Sequence, residues 1–286
     1  MTQARLMDGT ALARRIVEDT ARRAAELTER TGVVPCLATV LVGEDPASVT
    51  YVRMKQNRCR KAGITSRHVA LPATTTTEEL VRTLRELSAD PEVHGILLQH
   101  PVGEHVDERA AFEAIAPEKD VDGVTFASFA TMSFGLPGFV SCTPGGILRL
   151  LDEYGVDPAG KRAVVVGRSA ILGKPVGMLL LARDATVTYC HSRTRDLSAA
   201  VREADIVVAA VGRPRLIRGQ DIKPGAVVID AGYNPGNVGD VDFDSAVERA
   251  SLITPVPGGV GPMTIATLLE QTVTAAETAA ARLATA

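Results

Sequence analysis

The stretch Lys161–Thr194, KRAVVVGRSAILGKPVGMLLLARDATVTYCHSRT, decides how the rest of the chain is read. Ala163–Val166 is a short apolar, β-branched run of the kind that fills a strand buried on both faces of a parallel sheet. A turn follows from Gly167 to Gly173. Lys174-Pro175 then opens a helix, Pro175 suiting a first turn whose N–H groups have no helical partner. The helix runs through Met178, Leu179 and Leu180 and stops near Asp184, and Ala185–Cys190 makes a second strand. This β-α-β layout, with glycines in its first turn, places a dinucleotide pyrophosphate at a helix N-terminus, where unpaired N–H groups and the helix dipole favour an anion. The loop reads G-R-S-x-x-x-G, not G-x-G-x-x-G, so on this window alone a crossover without a ligand stands as the alternative.

The end of the second strand sharpens the choice of ligand. An NAD-binding unit usually carries an acid there for the ribose 2′-hydroxyl. Here the residues are His191-Ser192-Arg193-Thr194-Arg195, and the first acid is Asp196. A carboxylate would repel a 2′-phosphate, whereas Ser192 and an arginine can bind one, so the sequence points to NADP. Solvated surface arginines are the plainer alternative.

Outward from this stretch, 286 residues suffice for two domains with substantial cores. A net charge of -3 argues against nucleic acid as a partner. No apolar stretch approaches the ~20 residues of a membrane helix. The start, MTQARLMDG, has no signal-peptide pattern. The 4 cysteines, Cys36, Cys59, Cys142 and Cys190, are scattered, which suits a reducing cytoplasm and suggests no metal site.

Periodicity predicts a helix over 10–31, a strand over 35–42, a helix over 47–62, a strand over 64–71, a helix over 77–89, a strand over 93–99 and a helix over 107–116. This alternation indicates an open α/β domain with a mostly parallel sheet. Gly135–Gly138 (GLPG) is the best linker candidate. A helix over 145–154 leads into the β-α-β unit, and strands are predicted over 206–211 and 226–231. Residues 232–239 form a long loop, and 254–264 an extended Pro/Gly segment before a last helix.

Among residues able to do chemistry, Tyr51 and Lys55 are four apart on a predicted helix and share a face. Gln99 ends a strand, where open α/β sheets bind ligands, and Asp122 follows in PEKDVDG. Taken singly, a surface lysine, a strand-terminal amide and a turn aspartate are the plainer alternatives.

Together the segments SVTYVRMK (48–55), GILLQHP (95–101), PEKDVDG (117–123), CTPGG (142–146), VVGRSAILGKP (165–175), ATVTYCHSRT (185–194), GDVDF (239–243) and TPVPGGVGPMT (254–264) resemble the bifunctional methylenetetrahydrofolate dehydrogenase/cyclohydrolase family, in the family's order and over nearly the whole chain. The resemblance implies an N-terminal α/β substrate domain (1–138, with the helix of 264–286 packing back on it), a Rossmann-type NADP-binding domain (139–263) and a cleft between them. It implies a homodimer through the cofactor domain, a folate substrate, and no nucleic acid or membrane partner. By the same resemblance Lys55 is the catalytic lysine, Tyr51 helps hold the folate, Gln99 contacts the lysine and Asp122 bonds the pterin. Gly167, Arg168, Ser169 and Ser192 fall to the cofactor, as does Tyr233, where the family more often has Ile; Arg193 joins them from the reading of the strand end above. Pro257, Gly258, Gly259, Val260, Gly261, Pro262, Met263, Thr264 and Ile265 match a loop over the folate. The activity implied is NADP-dependent oxidation of 5,10-methylenetetrahydrofolate followed by hydrolysis to 10-formyltetrahydrofolate. A dehydrogenase without hydrolysis and a non-catalytic NADP-binding scaffold are the alternatives, and the joint presence of Tyr51, Lys55, Gln99 and Asp122 speaks against the scaffold.

Two departures lie on the folate side. Gln99-His100-Pro101-Val102-Gly103 replaces the family's Q-L-P-L-P, and the usual Asn is not evident in Thr125–Ser128. His100 is expected to alter substrate KM, an outward-pointing ring without a role being the alternative.

Overall fold

The structure is a computed structural model that describes residues 3–285, with residues 46–51 and 285 described in their backbone alone. In chain order the elements are β1 (Arg5–Leu6), α1 (Gly9–Thr31), β2 (Cys36–Val42), α2 (Pro46–Lys61), β3 (Thr65–Leu71), α3 (Thr77–Ala89), β4 (Gly95–Gln99), α4 (Glu108–Phe112), α5 (Phe126–Ser133) and α6 (Cys142–Glu153). There follow β5 (Arg162–Val166), α7 (Gly173–Leu181), β6 (Thr186–Cys190), α8 (Leu197–Arg202), β7 (Ile206–Ala209), β8 (Val227–Asp230), α9 (Phe243–Ala246), β9 (Leu252–Ile253) and α10 (Val260–Thr285).

The chain divides into two compact units. One comprises Met1–Arg14, Met132–Leu136 and Ser141–Thr264, the other Arg15–Thr131, Pro137–Val140 and Ile265–Ala286. The first fourteen residues therefore belong with the later part of the chain, against the expectation that they open the first domain. The cause is β1, which pairs in parallel with β9 through Arg5↔Leu252 and Leu6↔Ile253.

The unit holding β1 has a six-stranded parallel sheet in the order β1-β9-β8-β7-β5-β6. The runs that build its centre, RAVVV, IVVA and VVID, are almost wholly buried, as strands covered by helices on both faces must be. Val164, Val166, Val207, Ala209 and Val228 share one core cluster with Val201 of α8 and Ala246 of α9. β6 lies on one side of β5 and β7 on the other, so the strand order reverses at β5 and opens a crevice at its carboxyl end.

The other unit has a three-stranded parallel sheet, β3-β2-β4. Its β2 (CLATVLV) and β4 (GILLQ) are buried throughout, while β3 is an edge with outward-facing residues. α3 shows how local sequence sets an element. Thr76 accepts from the Glu79 N–H at 3.2 Å and the Glu79 carboxylate accepts from the Thr76 N–H at 2.9 Å. This reciprocal box fixes the start, and Leu80, Leu84 and Leu87 form the buried stripe.

Several boundaries differ from expectation. α4 stops at Phe112, four residues early, and α5 is the helix after KDVDG that the resemblance implies, without a periodic signal of its own. The extended Pro/Gly segment is shorter than expected because α10 already begins at Val260.

Candidate functional site

In the three-stranded unit, α2 carries Lys55 to the carboxyl end of β4. The Lys55 Nζ donates to Gln99 Oε1 at 3.0 Å. Both side chains are buried, at 6% and 9% exposure, which is uncommon for a lysine. The Gln99 Nε2 donates to the His100 carbonyl at 2.9 Å, which turns Oε1 toward the amine. Lys55 thus meets an acceptor without a charge of its own. Tyr51 lies one turn earlier on α2, its side chain outside the described residues.

Asp122 is half-buried in a turn whose anchor is Asp120. The fully buried Asp120 carboxylate accepts from the Val124 N–H at 3.1 Å, the Thr125 N–H at 2.9 Å and the Ser128 hydroxyl at 2.6 Å. Ser128, in the stretch where an Asn was expected, is thus a working part of this turn. Asp120 escaped the sequence reading because two aspartates in KDVDG look alike until the donors around each are known.

The altered segment after β4 is also accounted for. The His100 ring meets Phe112 edge-on, centroids 6.4 Å apart at 84°. Gly103 has φ +99°, and a Cβ there would lie 2.9 Å from His105 Cε1, so this turn calls for glycine.

In the six-stranded unit the Gly167 turn is built on close approach. Gly167 has φ +134°, and a Cβ on it would lie 2.2 Å from the Ala210 carbonyl oxygen, beyond β7. One on Gly173 would lie 2.6 Å from the Gly167 carbonyl. Gly177, which the sequence reading passed over, lets α7 settle on β6: a Cβ there would lie 2.1 Å from the Tyr189 hydroxyl. The Ser169 hydroxyl accepts from the Leu172 and Gly173 N–H groups at 3.2 and 3.1 Å and so closes the turn that leads into α7. Arg168 and Ser169 are exposed at the crevice end of β5.

After β6, the His191 N–H donates to the Thr194 hydroxyl at 2.9 Å and the Arg193 N–H to His191 Nδ1 at 3.2 Å. This tight turn leaves Ser192 and Arg193 exposed at its tip. Asp196, the first acid beyond the strand, is used as the cap of α8, its carboxylate accepting from the Ala199 N–H at 2.8 Å. The turn thus presents a hydroxyl and a guanidinium. Tyr233, after β8, is 71% exposed and donates its hydroxyl proton to Asn237 Oδ1 at 2.8 Å.

Of the segment Pro257–Ile265, only Pro257–Gly259 is loop, and the rest is the start of α10. A Cβ on Gly9 would lie 1.8 Å from the Gly259 carbonyl oxygen, so two backbones meet there. Met263 is fully buried, with its Cβ against Gly146, and Val260 and Ile265 are buried too.

The four cysteines are buried thiols, and burial pushes Cys59 up to about 12. Among the described residues no His, Cys, Asp and Glu group is able to hold a metal ion, and no helix is long and apolar enough to cross a membrane.

Two family models cover most of the chain. One, described as the tetrahydrofolate dehydrogenase/cyclohydrolase catalytic domain, matches residues 7–122, and the other, the NAD(P)-binding domain of the same family, matches residues 141–280. The chain is 82% identical over 273 residues to Bifunctional protein FolD 1 of Streptomyces avermitilis, covering 96% of this chain and 95% of that one. It is 59% identical over 277 residues to Bifunctional protein FolD of Shouchella clausii, covering 97% and 99%. Among solved structures, a FolD methylenetetrahydrofolate dehydrogenase/cyclohydrolase from Campylobacter jejuni superposes with a TM-score of 0.94 at 42% identity, covering 96% of this chain and 99% of that one. The Trypanosoma brucei enzyme, solved with NADP cofactor and an inhibitor, gives 0.94 at 41%, covering 97% and 99%.

Proposed function

Because the chain belongs to the tetrahydrofolate dehydrogenase/cyclohydrolase family, we infer that it carries out two successive reactions on one folate. 5,10-Methylenetetrahydrofolate is oxidised to the methenyl form, which water then opens to 10-formyltetrahydrofolate. NADP⁺ supplies the hydride acceptor for the first step. The residues fit that cofactor: Ser192 and Arg193 stand exposed after β6, and Asp196, the first acid in sequence beyond the strand, is used to cap α8. We assign Gly167, Arg168, Ser169, Ser192, Arg193 and Tyr233 to holding it.

In the first step the methylene carbon loses a hydride with its bonding pair, and the lone pair of the neighbouring nitrogen stabilises the cation. The protein's task is to orient the reactants. In the second step water attacks the methenyl carbon and gives up a proton, which requires a base. The observation that carries the assignment is the buried bond of Lys55 Nζ to Gln99. The bond to the Gln99 amide aligns the amine at the end of β4. Lys55 in its neutral form takes the proton, Gln99 positions it, and Asp122 and Tyr51 hold the folate. Of the segment Pro257–Ile265, the accessible Pro257, Gly258, Gly261, Pro262 and Thr264 face ligand, while the buried Gly259, Val260, Met263 and Ile265 act through packing.

The test is spectrophotometric, following NADPH and methenyl absorbance with NADP⁺ and methylenetetrahydrofolate. Formation of NADPH with accelerated methenyl decay is expected. NADPH with methenyl accumulating would leave a dehydrogenase alone, and no NADPH would leave a scaffold. We further assign the protein to the cytoplasm, as its four buried cysteines, none in a disulfide, suit. We also assign it a homodimer through the cofactor unit, whose sheet ends in the edge strand β6 and whose α7 ends in the exposed Leu181. Light scattering that gave a monomer mass would remove the dimer.

A further inference from the structure

Behind the crevice of the six-stranded unit sit two buried carboxylates that the proposed reaction does not use, Asp230 and Asp240. Asp240 Oδ2 accepts from the N–H groups of Val211 at 2.6 Å and Gly212 at 2.9 Å. Its Oδ1 accepts from the Arg213 N–H at 2.8 Å and from Asn234 Nδ2 at 3.1 Å. Asp230 in turn accepts from the N–H groups of Gly232, Asp240 and Val241 at 2.9, 3.0 and 2.9 Å. Two glycines make room: a Cβ on Gly232 would lie 2.2 Å from the Asp240 carboxyl carbon, and one on Gly239 would lie 1.9 Å from Asp230 Oδ2.

The donors come from two separate loops. Val211–Arg213 continues from β7, and its neighbour Ala210 is the residue whose carbonyl packs against Gly167. Asn234 belongs to the loop after β8 that presents Tyr233. One carboxylate therefore ties together the two loops that border the Gly167 turn and the exposed tyrosine.

We propose that Asp240 is a positioning residue for the dinucleotide. Its four accepted hydrogen bonds hold the β7 and β8 loops in the shape that the cofactor meets, and through Ala210 they hold the Gly167 turn. A carboxylate can do this because both oxygens only accept. An amide of the same size would set its NH₂ against two donors, whichever way it faced.

This inference rests on the assignment of NADP to this unit. The test compares unmodified protein with Asp240→Asn, measuring NADP⁺ dissociation by calorimetry and hydrolysis of methenyltetrahydrofolate without dinucleotide. Losing two charge-assisted bonds is expected to raise the NADP⁺ Kd by about tenfold to a hundredfold, while hydrolysis stays within about threefold. An unchanged Kd, or equal loss of NADP⁺ binding and hydrolysis in folded protein, overturns the proposal. If Asp240→Asn does not fold, Asn234→Ala removes a single donor to the same carboxylate. It is expected to weaken NADP⁺ by about threefold to tenfold with hydrolysis retained, and an unchanged Kd there overturns the proposal as well. Failure of unmodified protein to bind NADP⁺ would overturn the cofactor assignment instead.

Discussion

In the three-stranded unit Lys55 and Gln99 meet as side chains, one from a helix and one from the end of a strand. In the six-stranded unit the Gly167 turn meets Ala210 as backbone, and the loops around it are held by the carboxylates of Asp230 and Asp240. The two regions ask different things of the sequence. A proton acceptor is one atom, and replacing its residue removes the chemistry while leaving the surroundings in place. A binding surface made of backbone has no such single atom. It depends on absent side chains at Gly167 and Gly173 and on acceptors buried behind it. Changes in the first region should therefore alter rate, and changes in the second should alter affinity.

The largest expected effect tests the first half of that contrast. Lys55→Gln roughly preserves shape and hydrogen bonding, one atom shorter, but cannot take a proton. Cyclohydrolase activity should fall by about 10²–10⁴-fold, while dehydrogenase activity, which needs no base, stays measurable. Following methenyl decay and NADPH formation on the same preparation separates the two. Equal losses would make Lys55 a positioning residue and erase the distinction between the regions.

Next in size is cofactor choice. A charge-assisted bond contributes about 1.5–3 kcal/mol, so Arg193→Ala should cut kcat/KM for NADP⁺ by roughly tenfold to a hundredfold and leave NAD⁺ nearly unchanged. Arg168→Ala, at the exposed arginine of the Gly167 turn, tests the second candidate for the guanidinium that meets the 2′-phosphate. If neither variant changed the NADP⁺ to NAD⁺ ratio, the acid-free turn after β6 would not be the source of selectivity.

The buried carboxylates also carry a signature in pH. Burial pushes Asp230 up from 3.8 to about 6, against the pull of its three N–H donors, and Asp240 beside it pushes the same way. The folded state thus holds this proton where the unfolded chain has released it. Between about pH 4 and pH 6 the folded state binds more protons, so the contribution of Asp230 to stability falls as pH rises. Below that window the contribution is complete, and above it the loss is constant at about 3 kcal/mol. Urea unfolding of unmodified protein and Asp230→Asn should show the difference between them changing across this window in that direction. Parallel curves would mean that Asp230 titrates as an ordinary exposed acid.

How much of this was legible follows the same divide. Continuous apolar runs such as CLATVLV and RAVVV announce buried parallel strands because period and composition are local properties. The two-residue strands β1 and β9 have no such signal: β1 forms by pairing with β9 across most of the chain, and β9 by pairing with β1 and β8. Lys55 and Gln99 were legible through the family resemblance, and the Ser192-Arg193 turn through the missing acid at the strand end. Asp120, Asp230 and Asp240 were not, because what makes them matter is a set of backbone donors brought from other loops. Gly177 was missed for the same reason: its need for bare backbone is set by Tyr189 on the neighbouring strand.

The smallest expected effect concerns His100, where the chain departs from its family beside the reactive pair. Its carbonyl accepts from Gln99 Nε2, a service that any residue provides. Its ring lies edge-on to Phe112. The side chain is thus spent on packing against α4, and the altered course of the segment is set by Gly103, whose left-handed backbone and contact with His105 leave no room for a side chain. His100→Leu retains the carbonyl and most of the apolar contact. The folate KM should therefore stay within about twofold, and stability should fall by about 0.5–1.5 kcal/mol as the aromatic pair is lost. Denaturant unfolding and initial rates at varied folate measure both. A tenfold rise in folate KM with stability unchanged would show that the ring faces substrate, and that rate and affinity in this unit are shared more widely than Lys55 and Gln99.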